Sequence, residues 1–354
     1  TCPLRVFEKI RNIDKQNIKR SVKFMKKHGV IFLLVLCVAF MSFLGACKTE
    51  DKKENYETVP ILEDVRPEEE KMNTFTDLNG NEVTYNMNTR RIVALSGAGD
   101  LVAFGIRPLA VSGSTTTSGY ESFFKGVDLL DYNTPFNAEE ILSYKPELIL
   151  VYQNMEQDNI DKLTKIAPVI PLYRESFDFE VRLGYIGEIF GLEENAETLI
   201  EYAEQVKEAQ LAKIEGMGIK DKTVSIFYYA QGVSIPPTDS WYFNKIIYDY
   251  LGMKRLPIAE EFLENADNPF TPISNESLRN YEGDIVIYAD LSAAGLEPEI
   301  PEILQTNPGW KTLTAVRENR VGVIDATLYT EKDVLYLQAQ YDGIIKAFEK
   351  ATAK

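Results

Sequence analysis

The sequence predicts an α/β protein: two Rossmann-like α/β lobes bridged by one long α-helix, with a ligand cleft between the lobes. Three observations predict it. Short, wholly apolar runs such as LILV (148–151) alternate with helical segments, the pattern of parallel strands buried on both faces. The stretch 194–215 keeps helical spacing without a break, through Leu199, Ile200, Ala203, Val206, Ala209, Leu211 and Ile214. At 1.5 Å per residue it is about 33 Å long. After it, the alternation of strand and helix starts again.

The elements follow in order. TFTDLNGNEVTY (74–85) reads as two short strands around Asn79-Gly80, a hairpin signal. Ile92 to Leu95 is a buried strand, Asp100 to Phe104 a short helix stopped by Gly105, and a strand begins at Pro108 to Val111. Ala138 to Tyr144 is helical, Leu148 to Tyr152 is a strand, and 180–191 is a helix ended by Gly191. Beyond the long helix come TVSIFYYA (223–230) as a strand, WYFNKIIYDYLG (241–252) as a helix, GDIVIYAD (283–290) and NRVGVID (319–325) as strands, and a closing helix over 331–352. The expected domains are an N-terminal lobe at 73–193, a bridging helix at 194–216 and a C-terminal lobe at 217–354. Ligands of such sheets sit at the carboxyl ends of the strands, on the loops.

Before the lobes the chain has another character. Lys26 and Lys27 precede an uncharged run from Gly29 to Ala46 that closes on small residues, as a secretory signal does. About 18 apolar residues would also just span a bilayer. What decides for a signal is Leu44-Gly45-Ala46-Cys47, which resembles the bacterial lipobox. That resemblance implies cleavage before Cys47 and acylation of its thiol, so that 25–46 is the signal peptide of a lipoprotein. More than one acyl chain gives firm anchoring, because each buried methylene adds roughly 0.8 kcal/mol. Met25 makes a natural start, and residues 1–24 are expected not to be translated. Residues 47–72 are charge-rich and read as an acidic flexible tether.

Composition excludes several functions. Residues 1–47 hold nine basic and two acidic residues, which leaves 29 against 52, a net charge of −23, on 48–354. Such a surface repels nucleic acid. The only histidine, His28, and two of the three cysteines, Cys2 and Cys37, precede the expected cleavage point. What remains lacks the residues of the usual zinc sites and of Ser-His or Cys-His nucleophile pairs. The turn SGAGD (96–100) has Val102 where the dinucleotide fingerprint needs its third glycine, so it reads as backbone running close beneath a ligand rather than as a phosphate cradle.

Five stretches together carry a family resemblance: DLNGNEV, RIVAL, NAEEILSYKPELILVY, ISNESLRNYEGDIVIYAD and NPGWKTLTAVRENRVGVID. In this order and spacing, the chain resembles the lipid-anchored solute-binding proteins of ABC importers for ferric siderophores, haem and cobalamin, over nearly all of 74–352. The resemblance implies two lobes on a rigid helix, no enzymatic activity, and delivery of cargo to a permease and its ATPase. It also implies a docking glutamate on each lobe, Glu139 and Glu276, seated in arginine pockets of the permease; Glu140 offers the same chemistry beside Glu139. Two charge-assisted contacts fix orientation where one would allow rotation.

Ligand-facing candidates are aromatic and basic residues on loops after strands: Tyr120, Tyr152, Tyr173, Arg174, Tyr229, Trp241, Tyr242 and Tyr329, with Arg182 as a further cation and Asp290 to Ser292 after a strand. Broad rings suit a bulky chelate, and a guanidinium suits an anionic one. Trp241 leads, because the related position in hydroxamate-siderophore binders tends to face the ligand; Arg174 is second. The expected cargo is a ferric siderophore, with iron held only inside its chelator and no cofactor or metal bound by the protein itself. A corrinoid or haem are the alternatives within the fold. Haem needs an axial ligand that only Met or Tyr could supply, such as Met87 or Tyr229. An exported hydrolase, or a surface protein that has lost transport, are the readings outside it. The protein is expected to be a monomer on the extracytoplasmic face of the bacterial membrane, anchored at Cys47.

Overall fold

The computed structural model describes residues 59–113, 120–130, 137–172, 178–229, 232–235, 241–265, 272–293 and 296–353. The signal segment, Cys47 and the start of the tether lie outside these residues, as do Tyr173 and Arg174.

The hairpin forms where Asn79-Gly80 places it. Strand β1 (Met72–Thr76) pairs antiparallel with β2 (Glu82–Asn86), with Met72 opposite Asn86. Asp77 closes the turn by accepting the backbone N–H groups of Asn79 and Asn81, each at 2.8 Å.

The N-terminal lobe is built on β3 (Ile92–Ala94), β4 (Ala110–Ser112), β5 (Asp128–Leu130), β6 (Leu148–Tyr152) and β7 (Val169–Leu172). These run parallel in the order β5-β4-β3-β6-β7. Helices α1 (Ala98–Ala103), α2 (Ala138–Ser143), α3 (Gln157–Leu163) and α4 (Phe179–Phe190) connect and flank them. The bridging helix α5 (Glu193–Met217) has 25 residues, about 37 Å, and packs on α4.

The C-terminal lobe repeats the plan. It contains β8 (Thr223–Tyr229), β9 (Val233–Ser234), α6 (Tyr242–Asn244), which widens into a π-helical turn over Lys245–Tyr250, β10 (Lys254–Arg255), α7 (Pro257–Asn265), β11 (Ile285–Asp290), α8 (Glu302–Thr306), α9 (Thr314–Arg317), β12 (Val321–Asp325) and α10 (Leu337–Thr352). Its parallel order is β10-β8-β11-β12, with β9 folding back antiparallel on the end of β8. In chain order this matches β4-β3-β6-β7.

Alternation along the strands explains the layering. Ile92, Ala94, Leu148 and Leu150 face inward with Ile226, Ile285 and Ile287, and one buried cluster runs through both lobes by way of Val334 to Leu337. Val93, Ile149 and Val151 face outward to their own cluster with Leu163, and Phe227, Val286 and Tyr288 to another with Trp310. The central strands β3 and β6, and β11 up to its last residue, are apolar apart from Tyr hydroxyls because both faces are covered.

Three expectations need correction. The tether was expected to reach residue 72, yet 59–66 lies on the first lobe: Val59 is buried, and Leu62 N–H donates to the Ala103 carbonyl at 2.9 Å. Gly105 lets it pass, since a Cβ there would meet the Leu62 carbonyl oxygen at 2.3 Å. Arg66 pins the segment through Asp64 and the carbonyls of Met87 and Thr89. On α5, Ala209 is exposed and its expected place is taken by Gln210, fully buried, whose amide donates to Asp342 of α10 at 3.3 Å. The closing helix starts at Leu337 rather than 331, because Asp325 caps a tight turn at Thr327 and Asp333 is drawn away towards α1.

Candidate functional site

In each sheet the chain leaves the first strand towards one side and returns on the other, so a topological switch point lies between β3 and β6 and between β8 and β11. Tyr152 ends β6 and Tyr229 ends β8, and both rings are half-buried there. Two of the expected residues thus flank the switch points of the two lobes, on strands that are not equivalent, since β8 corresponds to β3 and the counterpart of β6 is β11. Asp290, which ends β11, is spent on its own loop: it accepts Ser292 N–H and Oγ at 2.9 and 2.7 Å and Glu299 N–H at 3.0 Å.

Trp241 is half-buried at the start of α6. Its ring leans on Tyr228 at 5.8 Å and on Phe243 at 5.5 Å. Phe243 meets Tyr329 edge-on at 5.7 Å, which completes a row of four rings. Tyr329 is the buried end of that row, and its hydroxyl donates to the Gln340 carbonyl at 2.7 Å. Tyr242 is likewise buried, beside Arg182. Burial pushes both hydroxyls well above the usual tyrosine range. These two rings pack the core: Tyr242, Phe243 and Asn244 of α6 are all buried, and Trp241, in extended backbone just before the helix, is the residue left half-exposed. Met87 also lies in the core, against Gly191.

Tyr120 is half-buried, stacked on Phe123 at 5.8 Å and edge-on to Tyr336 at 4.8 Å, a contact from the first lobe to the second. Burial, and then Asp342, raise its hydroxyl above the ordinary range.

Arg182 is not a ligand cation. It is 3% exposed, and its Nε and Nη2 grip Asp100 at 2.7 and 3.1 Å. The SGAGD turn holds Asp100, and Gly99 presses on Asp333 of the second lobe. The signal was present in the sequence: Asp100 and Arg182 are lone, opposite charges in otherwise apolar helical faces.

Glu139 lies nine residues before Leu148, where β6 begins, and Glu276 nine residues before Ile285, where β11 begins. Both carboxylates are exposed, and neither forms an ion pair among the described residues. Glu139 stands in the first turn of α2, whose N-terminus is capped by the Asn137 side chain accepting from Glu139 and Glu140 N–H at 3.1 and 3.3 Å. Glu276 stands in a turn tied by Ser274 and Ser277.

The family model of the periplasmic binding proteins matches residues 92–328, from the start of β3 to the residue before Tyr329. The chain belongs to the periplasmic binding protein family. Among curated members, it is 27% identical to the iron(3+)-hydroxamate-binding protein YxeB of Bacillus subtilis over 331 residues, covering 90% of this chain and 96% of that one. It is 24% identical to the iron(3+)-hydroxamate-binding protein FhuD of the same organism, over 92% and 98% of the two chains. Unliganded FhuD2 from Staphylococcus aureus superposes with a TM-score of 0.63 at 21% identity, over 80% of this chain and all of that one.

Proposed function

We propose that the chain is the extracytoplasmic receptor of an ABC importer, and that it captures a ferric siderophore of the hydroxamate class. The observation that carries this reading is the near-full-length similarity to two proteins named for binding iron(3+)-hydroxamates. The geometry supports it. Tyr152 and Tyr229 lie at the switch points, and Trp241 offers a half-exposed ring on a rigid aromatic base. Such rings shed water easily and pack against the bulky shell of a chelate, while the iron keeps its six oxygens from the chelator. Arg174 and Tyr173 complete the expected set as polar contacts. The protein itself performs no chemistry; it binds and hands over.

Handover uses Glu139 and Glu276, held at matching positions of two similar lobes, against cations of the permease. A solvated carboxylate that meets an arginine fork gains charge-assisted hydrogen bonds and a fixed register. Lipidation of Cys47 holds the receptor at the membrane.

The test is a fluorescence titration of residues 48–354 with a ferric trihydroxamate, a ferric tricatecholate, haemin and cobalamin. The only other tryptophan, Trp310, is 1% exposed. Saturable quenching by the trihydroxamate, mostly lost in Trp241→Phe, is the expected result. Saturation by haemin or cobalamin alone would overturn the hydroxamate assignment.

A further inference from the structure

Helix α1 of the first lobe and the segment 330–336 of the second exchange contacts reciprocally. Asp100 Oδ1 accepts the backbone N–H of Val334 at 2.7 Å, and Asp333 Oδ2 accepts the backbone N–H of Gly99 at 2.7 Å. Each carboxylate therefore caps the first turn of a helical segment in the other lobe, with partners 234 residues apart in the chain. Arg182 stands between them, paired to Asp100, with Nη2 also donating to the Lys332 carbonyl. Gly99 is what lets the lobes meet: a Cβ there would lie 2.8 Å from both Cβ and Oδ2 of Asp333. Asp100 is 0% and Asp333 4% exposed.

The charges in this contact do not balance. Two buried carboxylates face one guanidinium. From α1 and α4, Asp333 meets Asp100, Arg182 and the N–H groups of Gly99 and Asp100; on its own segment stand Glu331 and Lys332; from α6 the neutral Tyr242 hydroxyl faces Arg182 and Asp100. A cavity of about 20 Å³ lined by Ser96, Arg182, Thr330 and Asp333 adjoins the pair, room enough for one water.

We propose that this reciprocal cap is a proton-linked latch between the lobes, in which docking of the 330–336 segment on α1 takes up one proton on Asp333 and opening releases it. The proton removes the surplus negative charge while Gly99 N–H keeps its acceptor. Burial, and then the neighbouring Asp100 charge, raise Asp333 to about 7 in the docked state. When the lobes part, Asp333 returns to water and to the ordinary carboxylate value near 4. Between those two values the docked latch holds one more proton than the open one. Docking is therefore strongest in acid and weakens as pH rises towards about 7, by about tenfold in the opening equilibrium for each pH unit.

The experiment is hydrogen exchange on the full chain in detergent, without ligand, at several pH values between about 5 and 8 and corrected for intrinsic exchange. Protection of the peptides covering 98–104 and 330–337 is expected to fall about tenfold per pH unit up to neutrality and then level off. In Asp333→Asn, which keeps an acceptor for Gly99 N–H and cannot titrate, the same peptides should show protection independent of pH. An infrared carbonyl band of a protonated carboxyl, present in the wild type at acid pH and missing from Asp333→Asn, is the second readout. Flat protection in the wild type, or the same slope in both proteins, would overturn the latch. Because no ligand is involved, failure here leaves the siderophore reading standing, and failure of that reading leaves the latch standing.

Discussion

In the first lobe the outer face of the sheet is covered by α2 and α3, and the aliphatic side chains of Ile141, Leu163 and Ile149 fill the space. In the second lobe the same face is covered by α7, α8 and α9 together with single helical turns at Leu278–Tyr281 and Trp310–Thr312, and the Trp310 indole is the largest side chain among them. Trp310 meets Phe227 and Tyr288 edge-on, at 5.8 and 6.1 Å. Its N–H backbone group is fixed by the Asn307 side chain at 2.8 Å. One sheet order can thus be closed over an aliphatic layer or over an aromatic one. The second solution concentrates burial in one residue, and makes that lobe the more fragile to a single truncation.

The largest expected effect concerns what the lobes share. Glu139→Ala with Glu276→Ala should leave ligand affinity unchanged and abolish uptake of radiolabelled iron chelate by cells, since each lost ion pair with a buried partner removes about 2–5 kcal/mol of docking. Each single variant should keep part of the uptake. Normal uptake by the double variant would remove both residues from the docking face. Next in size is the difference between the outer faces. Trp310→Ala should cost about 3–5 kcal/mol, whereas Leu163→Ala in the first lobe should fall towards the lower end of about 2–5 kcal/mol, because helices α2 and α3 can close on the smaller cavity. Urea denaturation of the two variants decides this, and equal losses would break the contrast. The smallest effect belongs to the cap. Asn137→Ala should cost about 1 kcal/mol through the loss of two N–H contacts at α2. No comparable side-chain cap exists at Ser277, so Ser277→Ala should cost less by the same measurement.

Much of the fold was legible because parallel strands buried on both faces leave an unmistakable record. LILV and IVIYA carry no charge and almost no polar atom, as strands of a sheet covered on both faces do. The strands that escaped notice are the ones with weak records: β5 begins with the exposed Asp128 and Leu129, and β10 is two charged residues at an edge. The site was legible in part. Tyr152, Tyr229 and Trp241 lie where strand ends and a helix start put them. Tyr242 and Tyr329 come from the same kind of loop but lie in the core, while Trp241 stands in extended backbone one residue before α6 begins.

The sequence alone determined the layers, the repeat and the bridging helix, because periodicity is a local property that each segment carries with it. It also determined that no histidine could serve residues 48–354. Tertiary structure alone decided what the isolated charges are for. Asp100 looks like part of a glycine-rich turn and Arg182 like a free cation until the fold brings in Asp333, whose carboxylate reaches Gly99 from 234 residues away. A buried charge is stable only beside its partner, and which partner arrives depends on how the lobes pack rather than on anything written nearby in the chain.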